Sequence, residues 1–242
     1  MTNPTEIIRH RDASTLAAGV AERLIDRLAS VQASGRVPHV GLTGGTIAND
    51  IYRAVAASPR RGDVEWASVE FWWGDERFVG RDSPDRNAVQ ARDAMLTELG
   101  AREARVHEMP SSDDTDLEAG AQAYGDEVRT YGAGSFDVLL LGLGPDGHIA
   151  SLFPGYPQLA AADTIAVSVR NSPKPPPERI SLTYGALNRS RAVWFLVAGA
   201  GKAQAVARSL ADETSVDESP ATGVQGEAET VWHLDEAAAS AL

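Results

Sequence analysis

The spacing of apolar residues changes period repeatedly along the chain, and each change marks an element. Leu16, Val20, Leu24, Leu28 and Val31 fall on one helical face, with Glu22, Arg23, Asp26 and Arg27 largely off it. Residues 37–42 then read as a short strand, cut by Gly44-Gly45, and Ile47, Ile51 and Val55 restore a helical spacing. A strand at 69–73 ends at Gly74. Ser83-Pro84 supplies an N-cap with proline at the first helical position, predicting a helix to about residue 99. Residues 119–131 form another helix. The run 138–141 is apolar on both faces, as expected of a central parallel strand covered on both sides. Strands at 164–169 and 192–197, a helix at 202–210 and a last short strand at 231–232 complete the pattern. Such alternation predicts an open α/β sheet, doubly wound and mostly parallel, with helices on both faces.

Length is compatible with this, since 242 residues make one large domain or two small ones. Neither an internal repeat nor a clear linker is visible, so a single domain over 1–242 is expected. The stretch 171–178, with four prolines, reads as a stiff surface flap between elements.

Composition removes several function classes. The first twelve residues carry no apolar run of the signal-peptide kind, and no stretch approaches the roughly 18 apolar residues of a membrane span. Cysteine is absent, which excludes disulfides, thiol nucleophiles and zinc thiolates and fits a reducing, cytoplasmic setting. A net charge of −12 opposes DNA, RNA and acidic membranes. It leaves room for a small phosphate ligand, because a few local cations reverse the potential inside a cleft. The five histidines are scattered, with no pair at metal-ligand spacing, so no metal is expected.

In a doubly wound sheet, ligands bind beyond the carboxyl ends of the strands. Four segments there carry unusual chemistry: Thr43-Gly44-Gly45-Thr46, Gly74-Asp75-Glu76-Arg77, Gly144-Pro145-Asp146-Gly147-His148 and Gly199-Ala200-Gly201-Lys202. Gly44 and Gly45 let backbone N–H groups approach an anion at a helix N-terminus, and Thr46 adds a hydroxyl. Each loop has an ordinary alternative: a tight turn, a solvated charge cluster or a surface lysine. Lys202 opens a helix, where the dipole disfavours a cation, so a phosphate is its natural partner. Arg77 offers a planar fork for phosphate oxygens, and Asp75 can orient a hydroxyl or a lysine.

The third loop also contains Gly142-Leu143-Gly144-Pro145-Asp146-Gly147, formally a dinucleotide fingerprint. Pro154 curtails the helix that should follow, and the candidate ribose acid, Asp163, precedes a strand instead of ending one. The motif also lies past the middle of the chain. His148 remains, the one side chain in the four loops that ordinarily titrates near neutrality, and hence the leading general base.

At these residues the chain resembles the 6-phosphogluconolactonase family. The matching stretches are Trp73-Gly-Asp-Glu-Arg-Phe-Val79 with Asp82-Ser-Pro-Asp85 and Asn87, then Leu139-Leu-Leu-Gly-Leu-Gly-Pro-Asp-Gly-His148 through Gly155. Ser172-Pro-Lys-Pro-Pro-Pro-Glu-Arg-Ile180 and Ala198-Gly-Ala-Gly-Lys202 complete them. The resemblance implies a Rossmann-like fold shared with glucosamine-6-phosphate deaminases. It also implies hydrolysis of 6-phosphogluconolactone to 6-phosphogluconate in the oxidative pentose phosphate pathway, without cofactor or metal. The family's proposed catalytic histidine falls on His148, and its phosphate contacts on the glycine loop, Arg77 and Lys202; Arg179, in the proline-rich stretch, joins the substrate-binding set. The family commonly reads S-G-G-S-T-P in the first loop; Ile47 and Ala48 stand here instead of a second hydroxyl and the proline.

The expected partner is thus a small phosphorylated sugar lactone, and the expected state a monomer. His148 would take a proton from the attacking water, with Asp146 or Asp75 orienting its imidazole, and N–H groups near residues 144–147 would meet the oxyanion. No G-x-S-x-G elbow favours a serine esterase. One rival is a sugar-phosphate isomerase or deaminase, which carries a glutamate where Phe153 stands, five residues after the histidine. The other is a non-catalytic sugar-phosphate sensor, for whose DNA-binding domain the chain has no spare length.

Overall fold

The structure, a computed structural model, describes residues 5–132 and 135–242. Its elements in chain order are β1 (Thr5–His10), α1 (Ala13–Ala33), β2 (His39–Leu42), α2 (Thr46–Ala57), β3 (Glu70–Trp73), β4 (Asp75–Arg77), α3 (Asn87–Ala91), α4 (Leu117–Tyr131), β5 (Val138–Gly142), β6 (Ala166–Val169), β7 (Arg179–Leu182), α5 (Tyr184–Leu187), β8 (Ala192–Val197), α6 (Ala203–Ser209) and β9 (Glu229–Asp235). Six strands form one parallel sheet in the order β1-β9-β8-β5-β2-β3. The predicted α/β class and parallel sheet hold.

The centre of that sheet follows from its sequence. Val138, Leu139, Leu140 and Leu141 of β5 are all fully buried, and Gly41 on β2 lies opposite Leu139. A Cβ on Gly41 would sit 2.5 Å from the Leu139 side chain, so glycine is what lets the two strands carry a large residue between them. The predicted stripe of α1 (Leu16, Val20, Leu24, Leu28) is buried, and Asp12 starts the helix by a capping box with Thr15.

Three parts depart from expectation. A second, antiparallel sheet, β4-β7-β6, was not foreseen, and the strand expected at 164–169 belongs to it. Its strands are three or four residues long, too short to show a period. The helix expected from Ser83-Pro84 starts at Asn87 instead, and Ser83–Arg86 is a turn closed by the Arg86 N–H on the Ser83 carbonyl. The cap comes from a distance: the Glu76 carboxylate accepts the Asn87 and Ala88 N–H groups at 2.7 and 2.9 Å. Residues 92–96 then widen into a π-helical turn. Of the opening stretch read as polar, residues 1–4 lie outside the described residues, whereas Thr5–His10 form an edge strand, half exposed and therefore without an apolar run. No helix among the described residues is long and apolar enough to cross a membrane.

Candidate active site

The carboxyl ends of β2, β3, β5 and β8 deliver the four loops to one end of the parallel sheet, with the small sheet beside them. In the first loop Gly45 takes φ +107°, a conformation L side chains rarely adopt, and opens α2 without a side-chain cap. First-turn N–H groups of α2 therefore have neither an intrahelical acceptor nor a side-chain one from the cap. Gly44 is compulsory for a different reason: a Cβ there would fall 1.8 Å from Asn87 Oδ1. Tyr52, fully buried, fixes the loop from below by donating to the Thr43 carbonyl and accepting the Thr43 N–H.

Beyond this loop lies a cleft of about 220 Å³, lined by Gly44, Gly45, Asp75, Arg77, His148 and Arg179, and also by Asn87 and Lys174. A neighbouring cavity of about 390 Å³ shares Gly44, Gly45, Gly142 and Leu143 with it and adds Thr46 and Lys202. The glycine loop is thus a common wall. Arg77 stands on one side of it, Thr46 and Lys202 on the other.

His148 Nδ1 lies 2.5 Å from Asp146 Oδ1. Burial lowers the affinity of His148 for a proton below the ordinary range, with Asp146 opposing the shift. Burial alone would raise the Asp146 carboxyl, but its hydrogen bond to His148, the charge of that ring and the backbone N–H groups of Asp146 and His148 together outweigh this and hold it at about 2. The carboxylate is therefore ionised at neutral pH, so Nδ1 is the protonated nitrogen and Nε2 is left with a lone pair. Phe153 packs at 4.6 Å from the imidazole, centroid to centroid. Gly144 makes room for the pair, since a Cβ there would lie 2.0 Å from His148 Nδ1 and 2.4 Å from Asp146 Oδ1.

The other carboxylate does something else. Asp75 Oδ2 accepts from Ser151 Oγ at 2.6 Å and lies 3.9 Å from Arg179 Nη1, so Asp75 is not the partner of the imidazole. Two of the expected oxyanion donors of the third loop are also occupied. Gly144 N–H donates to the His148 carbonyl at 2.8 Å, Gly147 N–H donates to the Gly144 carbonyl at 3.0 Å, and Pro145 has no N–H.

Four cations surround the two cavities. Arg77 Nη1 donates to the Asp85 carbonyl at 2.6 Å, while its buried Nε has no partner. Lys202 Nζ donates to the Leu143 carbonyl at 2.6 Å. Its loop is fixed from β9, where the Asp235 carboxylate accepts the Gly199 N–H at 3.0 Å. Arg179 lines the cleft but is almost wholly buried, its Nη2 and Nε donating to the carbonyls of Lys174, Pro175 and Pro176. These bonds also shape the flap. Lys174, a residue of that flap not singled out from the sequence, lines the cleft as well. Burial lowers the proton affinity of Lys174, with Asp146 opposing and Arg179 and Arg77 reinforcing the shift. Burial does the same to Lys202, reinforced by Lys174. A chain of net charge −12 has thus gathered an electropositive pocket. Among the described residues no group of three or more His, Asp or Glu is placed to hold a metal ion.

Comparison with known proteins bears on family and fold. Residues 11–232 match the family model for glucosamine-6-phosphate isomerases/6-phosphogluconolactonase. A 6-phosphogluconolactonase of Streptomyces coelicolor is 43% identical, covering 100% of this chain and 96% of that one. One from Mycobacterium tuberculosis is 41% identical, covering 96% of each. Among solved structures, the 6-phosphogluconolactonase of Trypanosoma brucei superposes with TM-score 0.87 at 26% identity over 100% of both chains. That of Thermotoga maritima gives 0.85 at 27%, over 96% of this chain and 100% of that one. A monomeric glucosamine-6-phosphate deaminase, at 21% identity and TM-score 0.82, shares the fold. Sequence and fold agree, and the chain belongs to the glucosamine-6-phosphate isomerase/6-phosphogluconolactonase family.

Proposed function

We propose that this protein hydrolyses 6-phospho-D-glucono-1,5-lactone to 6-phosphogluconate in the oxidative pentose phosphate pathway, in the cytoplasm, with His148 as general base. The observation that carries the mechanism is the Asp146–His148 pair opening onto a cationic cleft. The glycine loop, Arg77 and Lys202 bind the phosphate, and that binding energy orients the lactone ring. Nε2 of His148 takes a proton from water while the water oxygen bonds to C1 and the carbonyl π pair moves onto the carbonyl oxygen. Collapse of this tetrahedral species restores C=O and breaks the C1–ring oxygen bond. The imidazolium returns its proton to the leaving ring oxygen, and the new acid loses its proton to solvent. Asp146 holds the tautomer and stabilises the transient imidazolium. The apolar ring of Phe153 beside His148 supplies none of the acid–base chemistry an aldose–ketose isomerisation requires, which favours the lactonase reading over the isomerase one.

The test is formation of 6-phosphogluconate above the spontaneous rate. His148→Asn should fold normally and lose roughly 10²- to 10⁴-fold in kcat, the usual worth of a positioned general base. A folded variant with near-native turnover would remove His148 from the mechanism.

A further inference from the structure

Attack of water on C1 puts a negative charge on the carbonyl oxygen, and the histidine loop has few donors left for it. Gly144 and Gly147 have spent their N–H groups within the loop, and Pro145 has none. We propose that Lys174 is a catalytic residue whose ammonium stabilises the oxyanion formed on the lactone carbonyl oxygen when water adds to C1.

Four observations carry this assignment. Lys174 lines the same cleft as His148, on the flap that covers it. Its charged head makes no hydrogen bond among the described residues, whereas Arg77, Arg179 and Lys202 each donate to backbone carbonyls. The flap is built to hold it there: Arg179 ties down the carbonyls of residues 174–176, Ser172 N–H donates to the Pro177 carbonyl, and Lys174 N–H donates to Ser172 Oγ. Lastly, its charge reaches the pair itself, lowering the proton affinity of His148 while Asp146 favours the charged lysine. The ammonium therefore stands on the chemical side of the glycine wall, beside the dyad.

The charges balance through the reaction. Before attack, Lys174 helps to keep His148 neutral and able to accept a proton. After attack, Asp146 faces the imidazolium and Lys174 faces the oxyanion, so neither new charge is left unpaired in a half-buried cleft. Arg179 is then a positioning residue that acts through the flap.

The proposal rests on the lactone carbonyl lying against His148, and the test separates the two. Lys174→Met should lose about 10²- to 10³-fold in kcat, the scale of one oxyanion donor. The loss should be similar for 6-phosphogluconolactone and unphosphorylated glucono-1,5-lactone, with KM changed by less than about threefold. Its acid limb should move to higher pH, since a charge disfavouring imidazolium is gone. Lys174→Arg, which keeps the charge, should retain more activity than Lys174→Met. Near-native kcat in Lys174→Met beside an inactive His148→Asn would overturn this proposal alone. A loss confined to the phosphorylated substrate and expressed in KM would do so too, making Lys174 a phosphate anchor. Equal losses in the Met and Arg variants would reduce it to a packing residue. An active His148→Asn would instead remove the footing of both readings.

Discussion

Asp146→Asn tests the dyad against its nearest competitor, because the cleft contains a second carboxylate, Asp75. At 2.5 Å from Nδ1, Asp146 makes a charge-assisted bond whose strength grows as His148 becomes imidazolium. Losing that gain costs about 1.5–3 kcal/mol, or roughly 10- to 150-fold in kcat. An amide adds a second penalty, since its NH₂ can donate to Nδ1 and move the ring proton to Nε2, where a base is needed. Tautomer inversion of this kind has cost about 10⁴-fold in a serine protease triad. Together these place Asp146→Asn between about 10² and 10⁴ below native kcat. Asp75→Asn should act differently. Its Oδ2 accepts from Ser151, 76 positions away, and its charge acts on the His148 ring more weakly than that of Asp146. The loss should appear mainly in KM, with kcat within about tenfold. Initial rates on freshly generated lactone, with spontaneous opening subtracted, give both constants. Native kcat in Asp146→Asn together with a collapse in Asp75→Asn would refute the assignment.

Three further outcomes follow from the same geometry. Arg77→Ala and Lys202→Ala should each weaken turnover of the phosphorylated lactone by about 1.5–3 kcal/mol and barely change that of unphosphorylated gluconolactone; proportional loss on both substrates would make these residues structural or catalytic. Burial lowers His148 from its ordinary value of 6.5, so kcat/KM should fall with decreasing pH about a midpoint below 6.5, as imidazolium forms and cannot accept a proton; a midpoint above 6.5 would contradict the burial. Gly144→Ala drives a methyl group into the His148–Asp146 contact and should approach the His148→Asn loss while circular dichroism stays native; a fully active Gly144→Ala protein would show that the contact is not needed.

What the sequence revealed depended on how local the cause was. The α1 stripe and the doubly apolar β5 are periodic within a single segment, and both elements were legible. The half-exposed edge strand β1, with Ile7 42% exposed, offers no such period. Ser83-Pro84 had the right chemistry for a cap, but Glu76, brought in by β4, does the capping. The site divides in the same way. Asp146 and His148 are two positions apart on one bend, so their pairing was within reach of sequence reasoning. Choosing between Asp146 and Asp75 required knowing that Ser151 claims the latter. Lys174 was hidden because its placement depends on how Arg179 folds the proline-rich flap back on itself.

The strand order also sets when this protein can first work. β9 lies between β1 and β8, so the first strand made is joined to the sheet only through the last. On a ribosome adding about 5–20 residues per second, β1 waits on the order of ten seconds or more for its partner. Throughout that interval β1 and one side of β8 are open edges, able to pair with another nascent chain. The final strand also brings Asp235, whose carboxylate takes the Gly199 N–H and fixes the loop carrying Lys202. An anion site assembled early would bind ligand on an unfinished domain. Here the loop is locked by the strand that closes the sheet, so Lys202 is held in place only once β1, β8 and β9 are joined.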